Sequence, residues 1–230
     1  MFAYPLSDAL VWATTLAAVL TLIEAARRAR WGGSLFEHTV WALATAAVLL
    51  GQRMGISLDS GLQVQYLGSA FLALLVGYPR ALMSMAVVLL IAPLLGTPAA
   101  GLPAFDSLHS WGLRVLVCAV MPVWAMWAIV QACKRLLPRN LFVFLLGCGL
   151  FGLLVSYVLQ LLASAVLYAS LAPQQPRDFL EAFLPYALLL ASGEAWLEGM
   201  IVTVLVVYVP GAVKLFDEAW YLRRQPTPPA

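Results

Sequence analysis

An apolar stretch near the C-terminus, from Phe179 to Val209, constrains the fold most because two acidic residues lie in its middle. Glu194 and Glu198 are four positions apart, so they share one face if the stretch is helical. A charged side chain at the centre of a membrane helix costs about 2.5–3.5 kcal/mol on an insertion scale. This face is therefore predicted to point toward other helices or a watery cavity rather than toward lipid.

Composition indicates that the whole chain lies in a membrane. Hydrophobic residues make up 63% of its 230 residues and charged residues only 10%, whereas soluble domains average about 45–50% and about 25%. The predicted fold class is all-α, a polytopic transmembrane helical bundle surrounded by the lipid bilayer, without a nucleic-acid partner. Residues 1–222 are predicted to form one transmembrane domain, and residues 223–230 a disordered cytoplasmic tail.

About seven membrane spans are predicted from the apolar runs, since each span needs about 20 residues. No cleavable signal peptide is expected, because the first run has no basic segment before it. The predicted spans are Ser7–Ile23, Leu35–Leu50, Gly61–Gly77, Ala81–Leu95, Gly112–Ala132, Leu141–Ser170 and Phe179–Val209.

The distribution of basic residues predicts the orientation. Ten of the thirteen Lys and Arg residues follow the odd-numbered spans, and only Arg53, Arg114 and Arg177 lie toward the other side. Basic residues are enriched in cytoplasmic loops. The N-terminus is therefore predicted outside and the C-terminus in the cytoplasm, which an odd number of spans allows.

The acidic pair Glu194 and Glu198 has two interpretations. It could form a polar pocket or an ion pathway, or it could hold helices together through interhelical hydrogen bonds. The neighbouring Gly193 and Gly199 permit a close backbone approach, which fits either interpretation.

Metal-binding candidates are weak. His109 and Asp106 lie in one predicted outside loop, and imidazole plus carboxylate can bind a transition metal. The other histidine, His38, is predicted on the opposite side, so the two cannot share a site. The three cysteines lie in or beside apolar runs and are expected to be buried thiols rather than disulfides.

Small residues recur on two predicted spans. Ala9, Ala13 and Ala17 are spaced by four residues on the first span, and Gly149 and Gly152 lie on one face of the sixth. Small residues let helices approach closely. These faces are expected to serve internal packing or, alternatively, to dock a partner membrane protein.

Three segments together resemble the CbiM/NikM-like family, the membrane components of energy-coupling-factor transporters for cobalt and nickel. They are YLGSAFLALLVGYPRALMSM from Tyr66, the pair VMPVWA and LPRNLFVFLLG, and AWLEGMIVTVLVVY from Ala195. The last resembles the family's Ala-Glu-Gly helix, and Glu198-Gly199 match its Glu-Gly pair. The family's N-terminal Met-His is absent, because Phe2 follows Met1, and no Ser-His-Pro-Thr-Gly-like segment precedes Tyr66.

The resemblance implies a substrate-binding component in the bacterial inner membrane. Its substrate would be a transition metal ion or another small solute, and a transmembrane coupling subunit with ATPase subunits would act as partners. The alternative is a non-transport helical subunit or assembly factor that keeps the fold without the metal site. The chain has no Walker motif and no visible nucleophile–base pair, so it is predicted not to be an enzyme.

Overall fold

The computed structural model of the chain describes residues 7–53, 55–57, 63–95, 108–171 and 176–222. Most of these residues are helical. Two segments are π-helical, Leu116–Val120 and Val143–Gly152, and each forms part of a longer helix. The helices are α1 Asp8–Arg28, α2 Leu35–Gly51, α3 Ser69–Val76, α4 Tyr78–Ile91, α5 Trp111–Leu136, α6 Val143–Leu171, α7 Pro176–Tyr208 and α8 Glu218–Leu222.

A two-stranded antiparallel ribbon lies between α2 and α3. Strands β1 (Gly55–Ser57) and β2 (Gln63–Gln65) pair with Gly55 opposite Gln65. Sequence analysis did not predict these strands. Their short length leaves the protein an essentially helical bundle, as predicted.

Local sequence signals set several helix ends. The Ser34 side chain accepts a hydrogen bond from the backbone N–H of Glu37 at 3.2 Å, which caps the start of α2. Helix α1 has Asp8 in its first turn and arginines in its last, as the helix dipole favours. In α5, Pro122 has no N–H to donate to the carbonyl group of Cys118, and the π-helical segment ends just before it.

Five helices are long and apolar enough to cross a membrane, and α2 is a shorter apolar helix. The protein is therefore a multi-pass membrane protein, which confirms the predicted polytopic bundle. The orientation across the membrane stays a prediction, and the predicted tail at 223–230 lies outside the described residues. The five helices are Asp8–Arg28, Tyr78–Leu95, Trp111–Leu136, Val143–Leu167 and Leu184–Tyr208.

The predicted third span, Gly61–Gly77, is wrong in its extent. Of the described residues in this range, 63–77, only Ser69–Val76 is helical. Eight helical residues rise about 12 Å, far less than a hydrocarbon core of about 30 Å. Gly68 and Gly77, with φ of 60° and 81°, limit the helix at its two ends. Hydropathy predicts a span here because it does not show where glycines turn the backbone.

The short helix α3 is surrounded by the rest of the protein, since all eight of its residues are buried. Two carbonyl groups at its C-terminal end, those of Leu74 and Leu75, accept hydrogen bonds from the backbone N–H groups of Leu215 and Lys214. Backbone polar groups at membrane depth need such partners. The segment after α7 therefore caps α3.

Candidate functional site: a buried carboxylate pair

The carboxylate of Glu198 lies at the centre of a buried polar cluster. Its side chain is on α7 and is fully buried, at 0% exposure. The hydroxyl group of Tyr66 donates to Oε1, and the hydroxyl group of Tyr157 donates to Oε2. Both carboxylate oxygens therefore have a phenol partner, and Glu198 links α7 to α6 and to the segment before α3.

Two glycines make room for the ring of Tyr66. A Cβ atom on Gly51 would lie 2.6 Å from Cδ1 of Tyr66, and one on Gly68 would lie 2.7 Å from its Cε1. The side-chain amide of Gln52 also donates to the backbone carbonyl group of Tyr66 at 2.5 Å. These contacts fix the residue so that its hydroxyl group reaches Glu198.

Tyr157 approaches the cluster from helix α6. It is fully buried, and its hydroxyl oxygen lies 3.4 Å from the backbone nitrogen of Phe71, which donates to it. One turn further along α6, Gln160 accepts a hydrogen bond from Ser69 at 3.4 Å. The first turn of α3 is thus tied to α6 beside the carboxylate.

Glu194 lies one turn before Glu198 and is 6% exposed. Its Oε2 accepts a hydrogen bond from the backbone N–H of Leu67 at 2.9 Å. Its Oε1 is buried and has no hydrogen-bond partner among the described residues. An unsatisfied buried acceptor is costly, so this oxygen is the position where the cluster can take up a proton or a cation.

The cluster contains no basic side chain. Neither Glu194 nor Glu198 takes part in the ion pairs formed within the described residues. The buried Arg114 of α5, 8% exposed, is not in ion-pair contact with either carboxylate. The oxygen atoms that could coordinate an ion here belong to carboxylate and phenol groups, which suit hard ions and protons better than soft metals.

The predicted metal candidates do not assemble into a cluster within the described part of the chain. His109 is 55% exposed, and its Nε2 lies 4.0 Å from Oδ1 of Asp8. Asp106 lies outside the described residues. The described ranges hold no group of three or more His, Cys, Asp or Glu side chains that could bind a metal ion. The cysteines are buried and free.

The two small-residue faces differ. Gly149 and Gly152 are buried, and a Cβ atom on Gly199 would lie 2.6 Å from the carbonyl oxygen of Gly149, so this face packs α6 against α7. Ala9, Ala13 and Ala17 are exposed, and α1 packs inward through Val11, Ala18 and Ala25 instead. The stripe on α1 is therefore an outer surface of this chain.

Sequence reasoning missed the partners of the carboxylates, Tyr66, Leu67 and Tyr157. Tyr157 carries a usable signal, because a tyrosine in the middle of an apolar span needs a partner for its hydroxyl group. Tyr66 and Leu67 carry none, since they precede a helix and reach α7 only through the fold.

Comparison with known families agrees with this architecture. The family described as the cobalt uptake substrate-specific transmembrane region, CbiM, matches residues 3–212. Comparisons with curated proteins and with solved structures find no match. The family match includes α1 to α7 and both carboxylates of the cluster, and it confirms the resemblance read from the sequence. The chain belongs to the CbiM family of transmembrane components for cobalt uptake.

Proposed function

We propose that the chain is the substrate-binding membrane component of an energy-coupling-factor transporter in a bacterial inner membrane. The observation that carries this proposal is the CbiM match over residues 3–212. The chain has no Walker motif, so separate ATPase subunits and a transmembrane coupling subunit would supply the energy. The exposed outer face of α1, with Ala9, Ala13 and Ala17, is available for such a subunit.

The proposed substrate is a transition metal ion or another small solute. Cobalt follows from the family description, but the N-terminal Met-His of metal-binding relatives is replaced here by Met1-Phe2. A substrate site in this chain would therefore use other ligands. Glu194 supports an oxygen-donor site, because its buried Oε1 has no partner among the described residues.

Uptake measurements test the transport proposal. The chain, expressed with its neighbouring transporter genes in a bacterium lacking its own cobalt and nickel importers, should raise accumulation of radioactive cobalt above a control without the ATPase. Glu198→Gln should keep the protein folded and lower uptake if the carboxylate pair serves transport. Uptake that is unchanged when the whole chain is deleted would refute the proposal.

A second candidate is a non-transport subunit or assembly factor of a larger membrane complex. Two observations favour it. The described ranges hold no metal cluster of three ligands, and both carboxylate oxygens of Glu198 already accept hydrogen bonds from phenol groups. Purification from native membranes distinguishes the two functions. Recovery with ATPase subunits supports transport, whereas recovery in a complex without any ATPase supports the second candidate.

A further inference from the structure

An apolar groove of about 920 Å³ lies on the outer surface of the bundle, between α1, α2 and α4. Side chains along its walls, among them Val19, Ile23, Val87 and Leu90, are 39–48% exposed, so the groove faces the surroundings of the bundle. Its size is within the range of about 300–1,000 Å³ that is usual for ligand sites. Helices α1 and α4 belong to the segments that are long and apolar enough to cross a membrane.

Several polar side chains of the groove wall, among them Ser84, Thr45 and Trp111, are hydrogen-bonded within the protein. Ser84 accepts a hydrogen bond from Nε1 of Trp41 at 2.6 Å and lies 2.8 Å from the hydroxyl oxygen of Thr45. Nε1 of Trp111 donates to the carbonyl group of Ala86 at 3.1 Å. The wall therefore offers an occupant little more than apolar contact, which suits a hydrocarbon chain.

The length of the groove matches one leaflet of a bilayer. On α2 its lining runs from His38 to Leu49, a rise of about 17 Å at 1.5 Å per residue. Half of a hydrocarbon core of about 30 Å is about 15 Å. A transmembrane helix from a partner would continue across both leaflets, whereas an acyl chain ends where this groove ends.

One end of the groove is strongly basic. Arg27, Arg28 and Arg30 are exposed at the end of α1, next to the lining residues Ala26 and Trp31. Arg28 pairs with Glu24, whereas Arg27 and Arg30 form no ion pair within the described residues. Two side chains are thus free to bind an anion at this end.

The remaining acidic side chain at this end, that of Glu37, is already paired with cations. Glu37 lies between two cations, with Oε2 3.3 Å from Nη1 of Arg80 and Oε1 2.9 Å from Nζ of Lys214. Arg80 also donates to the carbonyl group of Arg30 at 2.5 Å and lies over the ring of Trp41. Glu24 and Glu37 are therefore both paired already, and the excess charge at this end of the groove is positive.

We propose that the groove binds an anionic phospholipid, with an acyl chain between α1, α2 and α4 and its phosphate against Arg27 and Arg30. Basic clusters beside membrane helices attract anionic headgroups, and tryptophans such as Trp31 favour the level of the headgroups. The bound lipid fills the gap that α1 and α2 leave between them, and it belongs to the leaflet on the basic side of the bundle.

Native mass spectrometry of the full chain, released from detergent after incubation with lipid, tests the proposal. Phosphatidylglycerol and phosphatidylcholine with identical acyl chains are added in competition. Wild-type protein should retain the anionic lipid about tenfold more than the zwitterionic one, and the double variant Arg27→Gln/Arg30→Gln should lose this preference. Arg135→Gln, an exposed arginine on α5 away from the groove, is the control that should keep it.

A second pair of variants tests the acyl-chain part. Ala46 lines the groove, whereas its neighbour Ala47 is exposed but does not line it. Ala46→Trp should abolish retention of the anionic lipid, and Ala47→Trp should leave it unchanged. Equal retention of the two lipids by wild-type protein, or equal losses in the two tryptophan variants, would overturn the proposal. Cross-linking of an Ala46→Cys variant to another subunit in the native complex would also overturn it, because the groove would then be a protein interface.

Discussion

Replacing Glu198 tests whether the buried cluster stabilises the bundle. Glu198→Leu removes the acceptor of two phenol groups, those of the half-buried Tyr66 and the fully buried Tyr157. Leaving one buried donor without a partner costs about 1–3 kcal/mol, so the expected loss in unfolding free energy is about 2–6 kcal/mol. Glu198→Gln keeps one carbonyl acceptor and should cost about 1–3 kcal/mol.

The assay is unfolding in mixed micelles, titrated with a denaturing detergent and followed by circular dichroism. The matched control is Glu218→Leu, an exposed glutamate on α8, which should change stability by less than about 0.5 kcal/mol. The decisive variant adds Tyr66→Phe and Tyr157→Phe to Glu198→Leu. Removing both partners of a hydrogen bond is nearly neutral, so the triple variant should be more stable than Glu198→Leu alone. A triple variant that is less stable than Glu198→Leu would refute the reasoning.

Three further predictions concern packing, orientation and metal binding. Gly199→Ala should destabilise the protein by about 1–3 kcal/mol, because the added Cβ would lie 2.6 Å from a backbone oxygen. Gly193→Ala, which meets nothing within 4 Å, should be neutral or stabilise by up to about 1 kcal/mol in the same titration. An Arg53→Cys variant that lacks the native cysteines should react with impermeant reagents from outside only. Labelling from the cytoplasm alone would show that the predicted orientation is wrong. Calorimetry should find no submicromolar nickel site that depends on a free N-terminus, since Phe2 replaces the histidine of the family's N-terminal Met-His. Finding such a site would show that the metal ligands were assigned wrongly.

The long helices could be predicted from the sequence because hydropathy and length suffice for a membrane span. The predicted seventh span, Phe179–Val209, corresponds closely to α7, Pro176–Tyr208. The predicted third span failed for a local reason, since Gly68 and Gly77 break the apolar run into a short buried helix. Positive φ at a glycine is not visible in hydropathy.

The carboxylate pair could be predicted as a sheltered feature, but its partners could not. A charged side chain in lipid is costly in free energy, and this cost depends only on the sequence of α7. It therefore predicts that Glu194 and Glu198 face the interior of the bundle. The partners Tyr66 and Leu67 are more than 120 residues away in sequence. A pattern along one helix does not show which loop it meets, so the contacts came only from the fold.

The small-residue stripes show the same limit. Spacing by three or four residues marks a face that permits close packing, but it does not say what packs there. Gly149 meets Gly199 inside this chain, whereas Ala13 and Ala17 remain on the outside. The glycine stripe on α6 is thus explained by the fold of the single chain, and the alanine stripe on α1 is left for a partner or for lipid.

The helix α3 is held at both ends by the C-terminal part of the chain. At its beginning, Glu198 and Glu194 of α7 accept hydrogen bonds from Tyr66 and Leu67. At its end, backbone N–H groups just after α7, at positions 214 and 215, bond to its last carbonyl groups. A short helix at membrane depth has few hydrogen bonds of its own, so these contacts determine where it lies. The acidic pair of α7 therefore fixes the start of α3, and the segment that follows α7 fixes its end.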